Sequence, residues 1–234
     1  MLMLIQKNKI NIEDEGKGFP IVFLPGITGK SDIWNNQVEH LSLYYRVITI
    51  DFSEININKV NYTGLLDILK DIFKELNLNY FYIAGYSIGG LLALMYANRC
   101  PETVAGVITT SLGNISASTN EIVKFYKKNF RPVRNFIQVI KDKLFGFRDK
   151  GFDIAYKFAS LIKYHTIVGE YGAVNLPLLI INGEFDHLSC HNISQNIYNK
   201  NLNVRLEIIE RARKDCFNTN PILYDHILIE FLKN

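Results

Sequence analysis

A serine at position 87 lies between two glycines in the run Gly85-Tyr86-Ser87-Ile88-Gly89. An apolar, β-favouring segment precedes this run and a helical pattern follows it, which predicts a sharp strand-to-helix turn. Such a turn places the hydroxyl at the carboxyl end of a buried strand, where open α/β sheets carry their chemistry. The flanking glycines suit strained backbone and close approach of neighbouring segments. The pattern therefore indicates a nucleophilic serine, and the alternative is a glycine-rich turn with an inert serine.

Strand and helix patterns alternate along most of the chain. The predicted strands are 3–6, 9–13, 21–24, 46–50, 81–85, 104–109, 177–181 and 204–209. The predicted helices run from Ser31 or Asp32 to 41, from Asn61 or Thr63 to 76, from the serine turn to 100, over 189–199 and over 221–232. Alternating strands and helices predict a mostly parallel sheet with right-handed crossovers.

The Gly-x-Ser-x-Gly motif and this order of elements resemble the α/β-hydrolase superfamily over nearly the whole chain. The resemblance implies an eight-stranded, mostly parallel sheet with helices on both faces, and Ser87 as the nucleophile of ester or thioester hydrolysis. Residues 19–29 are similar to the family's oxyanion loop, with Pro25-Gly26 where His-Gly is usual. The backbone N–H groups of Ile27 and Ile88, next to Gly26, would then form the oxyanion hole. The alternative is a plain turn that needs Gly26 for a positive φ.

The acid of the family's triad also has a matching position. The strand pattern 178–182 and the turn Gly183-Glu184-Phe185-Asp186 resemble the segment that carries the triad aspartate. Asp186 follows Ser87 in the chain, in the expected order of nucleophile and acid. A solvated turn is the alternative for Asp186. Asp51 also ends a strand pattern, but it precedes Ser87, and we interpret it as a turn residue.

The base departs from the family pattern. A Gly-His dipeptide normally follows the last strand, shortly before a proline that opens the final helix. Counting back from Pro221 puts Arg213 at the glycine position and Lys214 at the histidine position. We expect structural roles for the chain's histidines, of which only His165 could overhang the site: His40, His165, His187, His191 and His226.

Lys214 is a poor substitute for histidine. An ordinary lysine has a pKa near 10.4, so acting as a base at pH 7 requires a fall of about three units, or roughly 4 kcal/mol. Burial lowers the pKa of a lysine, whereas a nearby carboxylate such as that of Asp186 raises it. The simplest predicted state is a Lys214–Asp186 ion pair beside an unactivated Ser87, so hydrolysis is expected to be weak.

Residues 114–172 interrupt the alternation, and we interpret them as a helical cap inserted into the domain. The segment has eleven Lys or Arg against five acidic residues, a net charge of +6, and eleven interleaved aromatic residues. An aromatic cap with a basic rim suits a hydrophobic acyl group on an anionic carrier. The alternatives are an ordinary solvated helical face and a surface that touches a membrane.

Composition restricts the class of protein further. A chain of 234 residues with 48% hydrophobic and 21% charged residues fits a single domain spanning 1–234. We expect no transmembrane segment or signal peptide, because no apolar run approaches the ~20 residues that a bilayer requires. The three cysteines are far apart, which favours a reducing cytoplasm over a disulfide framework or a metal site. A net charge of +3 does not suggest nucleic acid, and no cofactor is expected.

Two functions remain open from the sequence. The first is a weak serine hydrolase that acts on an ester or thioester through Ser87, with Asp186 and Lys214 in the acid and base positions. The second is a non-hydrolytic or catalytically inactive protein of the same fold that binds a small hydrophobic ligand. The residue at position 214 separates them, since histidine would favour the enzyme and this chain has lysine.

Overall fold

A computed structural model of the protein describes residues 1–55, 60, 62–112, 175–186 and 191–233. The predicted cap, 114–172, lies outside these described residues, as do His165, His187 and Cys190. The division of the chain into one domain with a cap therefore stays a prediction.

The centre of the molecule is a single eight-stranded sheet, as predicted. The strands follow the order β1-β2-β4-β3-β5-β6-β7-β8. The first two strands pair antiparallel, β2 also pairs antiparallel with β4, and every later pairing is parallel. The strands are β1 Leu2–Ile5, β2 Asn8–Glu15, β3 Pro20–Leu24, β4 Arg46–Asp51, β5 Phe81–Tyr86, β6 Val104–Thr110, β7 Leu178–Gly183 and β8 Val204–Ile209.

Helices lie on both faces of the sheet. In the described part of the chain they are α1 Asn35–Leu41, α2 Tyr62–Glu75, α3 Ile88–Arg99, α4 His191–Lys200, α5 Cys216–Thr219 and α6 Pro221–Leu232. Short 3-10 turns at Asp32–Trp34 and Pro101–Thr103 precede α1 and follow α3. The four-residue helix α5 lies in the last loop, where no helix was predicted, because 210–220 lacks a helical apolar repeat.

The inner parallel strands, β3 to β7, are buried on both faces, which explains their largely apolar sequences, whereas the edge strand β8 is only partly buried. In β7, Leu178 and Ile180 belong to the core that contains α2 and α3, whereas Leu179 and Ile181 belong to the core that contains α1, α5 and α6. Successive side chains of a strand point to opposite faces, so an uninterrupted apolar run serves both cores. This packing holds the central strands in a rigid frame beneath their loops.

The register brings the carboxyl ends of the central strands to one edge of the sheet. Leu24 at the end of β3 aligns with Gly85, Tyr86 aligns with Thr110, and Thr110 aligns with Ile181. The described residues that directly follow β3, β5, β6 and β7 therefore start from this edge. We call it the catalytic edge, since it is where open α/β sheets place their sites.

The turn before α1 is held by a partner that the sequence did not predict. Ser31 is the N-cap of the helical segment that begins at Asp32, one of the two candidate positions, but its side chain makes no capping hydrogen bond. Its backbone N–H instead donates to Asp51 Oδ2 at 3.1 Å. A tertiary partner from β4 therefore orders this turn in place of a local cap.

In the described part of the chain, no helix is both long and apolar enough to cross a bilayer.

Candidate active site

Ser87 stands at the tip of the turn between β5 and α3. Its backbone has φ 53° and ψ −113°, in a region that residues with a side chain rarely occupy. Its N–H donates to the carbonyl of Thr110 at 2.8 Å, which continues the sheet ladder and holds the turn rigid. The Ser87 side chain makes no capping hydrogen bond to α3, so its hydroxyl is not used to start the helix. Strain of this kind persists only where the surrounding structure enforces it, and it is typical of functional sites.

The two glycines of the motif are required by close backbone contacts. A Cβ added to Gly85 would overlap the backbone of Gly89, and one added to Gly89 would overlap the carbonyls of Pro25 and Leu24. The strand, the following helix and the loop after β3 therefore meet at distances that exclude any side chain. This explains why the sequence pattern is specific, since three separate segments depend on it.

The loop after β3 lies beside Ser87 and is held by several hydrogen bonds. Gly29, with φ 73°, closes a turn in which its N–H donates to the carbonyl of Gly26 at 3.0 Å. The indole of Trp34 donates to the carbonyl of Leu24 at 3.1 Å. Asp51 accepts from Ser31, as described, and from the N–H of Ser53 at 2.8 Å. Asp51 is therefore a turn residue, and it orders the neighbouring loop.

The two predicted oxyanion donors come from the loop after β3 and from the start of α3. Ile27 follows Gly26 in this loop, and Ile88 is the first residue of α3; both are half-buried. The first N–H groups of a helix have no partner within the helix, and the helix dipole favours negative charge there. The two segments meet through Gly89, which touches Pro25 and Leu24. The partial positive charge at the start of α3 would favour an anion beside these two segments, so the oxyanion hole stays a prediction.

Asp186 lies at the end of β7, two strands away from the strand that ends at Ser87. It is buried, with 3% of its surface exposed, and its N–H donates to the carbonyl of Gly183 at 3.1 Å in a tight turn. The preceding residue, Phe185, donates its N–H to the carbonyl of Ala212 at 2.8 Å. The turn after β7 and the loop after β8 are therefore joined by their backbones.

Lys214 lies in that last loop, and its backbone is fixed from two sides. The hydroxyl of Ser111 donates to the carbonyl of Lys214 at 2.8 Å. The carbonyl of Arg213 lies so close to Gly183 that a Cβ there would overlap it. Ser111 follows β6 with φ 49°, and its N–H donates to the carbonyl of Ile181 at 2.9 Å. The position inferred by counting back from Pro221 therefore lies at the catalytic edge.

The electrostatic environment of Lys214 combines burial with two carboxylates. Burial lowers the pKa of Lys214 to about 8, while the negative charges of Asp186 and Asp215 act in the opposite direction. The loss of hydration thus outweighs the attraction of the two acids. At pH 7 about a tenth of an amine with this pKa is neutral, compared with less than a thousandth for an ordinary lysine.

Tyr86 joins the two sides of the site, and sequence reasoning missed this role. Its ring covers Gly26, where a Cβ would lie 2.7 Å from Cδ1, and it packs edge-on against Phe217 with ring centroids 4.9 Å apart. Burial and the charges of Asp186 and Asp215 raise the pKa of the Tyr86 phenol far above its usual value, so it stays protonated. Burial likewise raises the pKa of Cys216 to about 12, so this thiol is not a nucleophile at neutral pH.

Two of the described histidines pair with carboxylates other than Asp186 and Asp215. His40 Nδ1 lies 2.7 Å from Asp225 Oδ2, which joins α1 to α6. Gln37 donates to the other oxygen of Asp225 and to the carbonyl of Phe217, each at 3.1 Å. His226 contacts Glu230 on the same helix. His191 is exposed at the start of α4.

Ser87, Asp186 and Lys214, the three residues predicted from the sequence, follow β5, β7 and β8. Ser111 was missed because it stands in no recognisable motif, and Tyr86 was missed because the Gly-x-Ser-x-Gly motif allows any residue at its second position. The positive φ at Ser111 could not be predicted from the sequence either, because serine is not one of the residues that favour this conformation. In the described residues, no group of three or more His, Cys, Asp or Glu side chains could hold a metal ion.

Comparison with known proteins agrees with this architecture. A family model described as alpha/beta hydrolase fold matches residues 20–131. An alpha/beta hydrolase enzyme from a Medee basin deep-sea metagenome library superposes with a TM-score of 0.83 at 17% identity, covering 100% of this chain and 98% of that one. The chain therefore has the α/β-hydrolase fold, and the family's sequence model matches nearly half of its length.

Two curated relatives match almost end to end. One, from Bacillus subtilis (strain 168), is named as a putative 2-succinyl-6-hydroxy-2,4-cyclohexadiene-1-carboxylate synthase; it is 25% identical over 94% of this chain and 93% of its own length. The other, from Wigglesworthia glossinidia brevipalpis, is named as a pimeloyl-[acyl-carrier protein] methyl ester esterase; it is 23% identical over 91% of this chain and 93% of its own length. Proteins similar to this chain thus carry the names of an esterase and of a synthase.

Proposed function

We propose that this protein is a serine hydrolase that cleaves an ester or thioester through Ser87, with weak activity at neutral pH. The backbone of Ser87 is the observation that carries the proposal. A φ of 53° at a buried strand-to-helix turn is costly for a serine, and a hydroxyl held at the catalytic edge is what this conformation provides. The family and the relative named as an esterase support the same class of reaction.

In this mechanism, the Ser87 hydroxyl attacks the carbonyl carbon while the N–H groups of Ile27 and Ile88 stabilise the developing oxyanion. The neutral amine of Lys214 accepts the proton that Ser87 loses, and then donates it to the leaving alkoxide or thiolate. Water hydrolyses the resulting acyl-enzyme by the reverse sequence of proton transfers. Asp186 stabilises the ammonium form of Lys214, so it assists proton acceptance in the transition state but also reduces the neutral fraction beforehand.

The pKa of Lys214 dictates the expected pH dependence. Because only the neutral amine acts as a base, the rate should rise about tenfold per pH unit below pH 8 and level off above it. An enzyme with the usual histidine would reach its plateau near neutrality, since an ordinary histidine has a pKa near 6.5. The position of the plateau therefore reports which residue is the base.

The substrate class that we favour is an acyl group on an anionic carrier. The +6 charge and eleven aromatic residues of 114–172 support this choice, as does the name of the relative that acts on a carrier-protein methyl ester. Exposed charges are screened over about 8 Å at physiological ionic strength. Turnover of an acyl-CoA should therefore weaken with added salt, whereas a flat response would leave the basic residues as ordinary surface.

A fluorophosphonate probe together with p-nitrophenyl acetate tests the catalytic proposal. The probe should label Ser87, slowly at pH 7 and faster near pH 9, and Ser87→Ala should abolish both labelling and hydrolysis. The matched control is Ser111→Ala, which removes the other serine with a positive φ at this edge and should leave the site of labelling unchanged. Labelling that persists in Ser87→Ala would exclude Ser87 as the nucleophile.

The second candidate is a protein that binds a small hydrophobic ligand without hydrolysing it. It is favoured by the lysine at position 214, since two carboxylates oppose the neutral form that a base requires. The relative named as a synthase also indicates that similar chains carry names other than hydrolase. Ligand binding by a chain that the fluorophosphonate never labels, even at pH 9, would favour this candidate.

A further inference from the structure

Phe217 lies in the short helix α5, just after the base position, and its backbone is held from behind. The side-chain amide of Gln37, which is fully buried on α1, donates to the carbonyl of Phe217 at 3.1 Å. The same amide donates to Asp225 Oδ1 on α6, also at 3.1 Å. A buried amide keeps its hydrogen bonds because leaving them unmade is costly, so α1 and α6 together fix the place of Phe217.

The ring of Phe217 contacts side chains that belong to two neighbouring strand ends. Its centroid lies 4.6 Å from that of Trp34 and 4.9 Å from that of Tyr86, and Phe217 is only 1% exposed. The indole of Trp34 donates to the carbonyl of Leu24, the last residue of β3. Tyr86 is the last residue of β5 and directly precedes Ser87. The ring therefore packs beneath both segments that flank the nucleophile.

Tyr86 extends this contact to the loop after β3. Gly26 has no Cβ, so the Tyr86 ring lies directly against its backbone; an added Cβ would be 2.7 Å from Cδ1 and 3.0 Å from Cε1 of the ring. The next residue in the chain is Ile27, whose N–H is one of the two proposed oxyanion donors. One wall of the loop that carries this donor is thus the Tyr86 ring, and Phe217 packs edge-on against the same ring.

We infer that Phe217 is a positioning residue for the oxyanion hole, because it supports the Tyr86 ring and this ring supports the turn at Gly26 and Ile27. This role rests on the proposed function of Ser87 and adds to it a dependence of the oxyanion donor on the last loop of the chain. Phe217 acts through Tyr86 rather than on the substrate. A misplacement of about 1 Å can cost a site as much as ~100-fold in rate, so loss of this support should slow the reaction.

A matched contact lies near the other end of β5. Tyr82 belongs to the same core as Tyr86, and it packs edge-on against Phe231 of α6 with ring centroids 5.9 Å apart. Phe231 is buried in that core like Phe217. Leucine at position 217 or 231 therefore removes a buried ring from the same core and an edge-on contact from the same strand. Only the contact of Phe217 lies at the catalytic edge.

The two leucine variants separate positioning from stability. Phe217→Leu should lower kcat for p-nitrophenyl acetate by about 10-fold to 100-fold and leave KM within about twofold, because an oxyanion donor acts mainly in the transition state. Phe231→Leu should also lower the thermal midpoint, but it should leave both constants within about twofold of the wild type. If Phe217→Leu fails to fold, Phe217→Met removes the ring with a smaller loss of volume and takes its place.

Two further measurements show how Phe217 acts. Adding Tyr86→Leu to Phe217→Leu should slow the reaction little beyond the larger single effect, since both changes act through one contact. The pH at which the rate levels off should be the same in Phe217→Leu and the wild type, because the displaced group is the oxyanion donor and not the base.

Hydrogen–deuterium exchange over residues 24–30 tests the same support without any hydrolysis. The N–H of Gly29 donates to the carbonyl of Gly26 at 3.0 Å, so it is protected while the turn is intact. Its exchange should be about tenfold faster in Phe217→Leu, because the turn opens more often, and unchanged in Phe231→Leu.

Equal kinetic losses in the two leucine variants, additive losses in the double variant, a shifted pH plateau, or unchanged exchange over 24–30 would each overturn the proposal. A wild-type chain without hydrolysis that depends on Ser87 would instead overturn the serine mechanism. The exchange of Gly29 would still decide whether Phe217 supports the loop.

Discussion

Two halves of the catalytic edge differ in how they are built. The nucleophile half comprises β3, β5, α3 and the loop 25–29, and the base half comprises β7, β8 and the loop 210–220. In the nucleophile half, close backbone contacts at the glycines determine the conformation, and the Gly-x-Ser-x-Gly motif makes these positions recognisable in the sequence. In the base half, side chains and backbone from β6, β7 and α5 fix Lys214 without any motif.

The difference shows which part of the site depends on its exact sequence. Backbone overlap cannot be relieved by a small shift, so the glycines of the nucleophile half leave little choice. The base half fixes the position of the backbone at residue 214, but it does not require a particular side chain there. We therefore predict that either lysine or histidine can stand at position 214 without disturbing the fold, and that the strength of the base differs between them.

Gly85→Ala should have the largest effect, because the added Cβ would overlap the backbone of Gly89. We expect a loss of about 4 kcal/mol in the free energy of unfolding, or failure to fold. Gly26→Ala is the matched control, since its Cβ would meet only the Tyr86 ring, which can move, and should cost about 1–2 kcal/mol. Urea denaturation measures both, and equal losses would show that the nucleophile half is no more constrained than its neighbours.

Lys214→His combined with Arg213→Gly should give the base half the Gly-His dipeptide that is usual in the resembled family. Hydrolysis of p-nitrophenyl acetate at pH 7 should rise by about 10²–10³, because general-base catalysis contributes on this scale. Arg213→Gly alone controls for the change in backbone freedom and should leave the rate nearly unchanged. If the double variant gains nothing although it folds normally, the base lies elsewhere, and His165 would be the next residue to replace.

The stability difference between the wild type and Lys214→Met should depend on pH. The pKa of Lys214 is 10.5 for the unfolded reference and about 8 when folded, so between these values the unfolded chain binds more protons. Wild-type stability relative to the variant should therefore rise with pH across this window, by about 3 kcal/mol in total. Urea denaturation of both chains at pH 7 and pH 10.5 measures the rise, and a flat difference would show that Lys214 keeps an ordinary pKa.

Asp51→Asn should have the smallest effect and tests how the loop beside Ser87 is supported. Asp51 accepts backbone N–H bonds from Ser31 and Ser53, and losing the charge should cost about 1 kcal/mol. Asp32→Asn changes an exposed acid at the same turn and should cost less than about 0.5 kcal/mol. Thermal unfolding compares them, and equal shifts would mean that Asp51 does not order the loop.

Much of the frame was predictable from the sequence. The bounds of β8 and α6 agree with the predictions, and the other described elements differ by a few residues at their ends. Hydrophobic runs and helical repeats suffice for this, because each element buries a local pattern against the same core. The helical segment begins at Asp32 with Ser31 as its N-cap, within the predicted positions, but the partner of Ser31 was not predictable because Asp51 is twenty residues away in the chain and belongs to β4.

The sequence by itself determined the order of elements and the turn at Ser87, since glycine spacing and apolar periodicity act between near neighbours. The spacing to Pro221 also led to the prediction that Lys214 stands where the resembled family usually has a histidine. Only the tertiary structure decided the environment of that lysine. Asp186, Asp215 and the hydrogen bond from Ser111 come from segments that follow three different strands, β7, β8 and β6. The pKa of a side chain depends on neighbours that are distant in the chain, so no local sequence pattern could have predicted the pKa of Lys214.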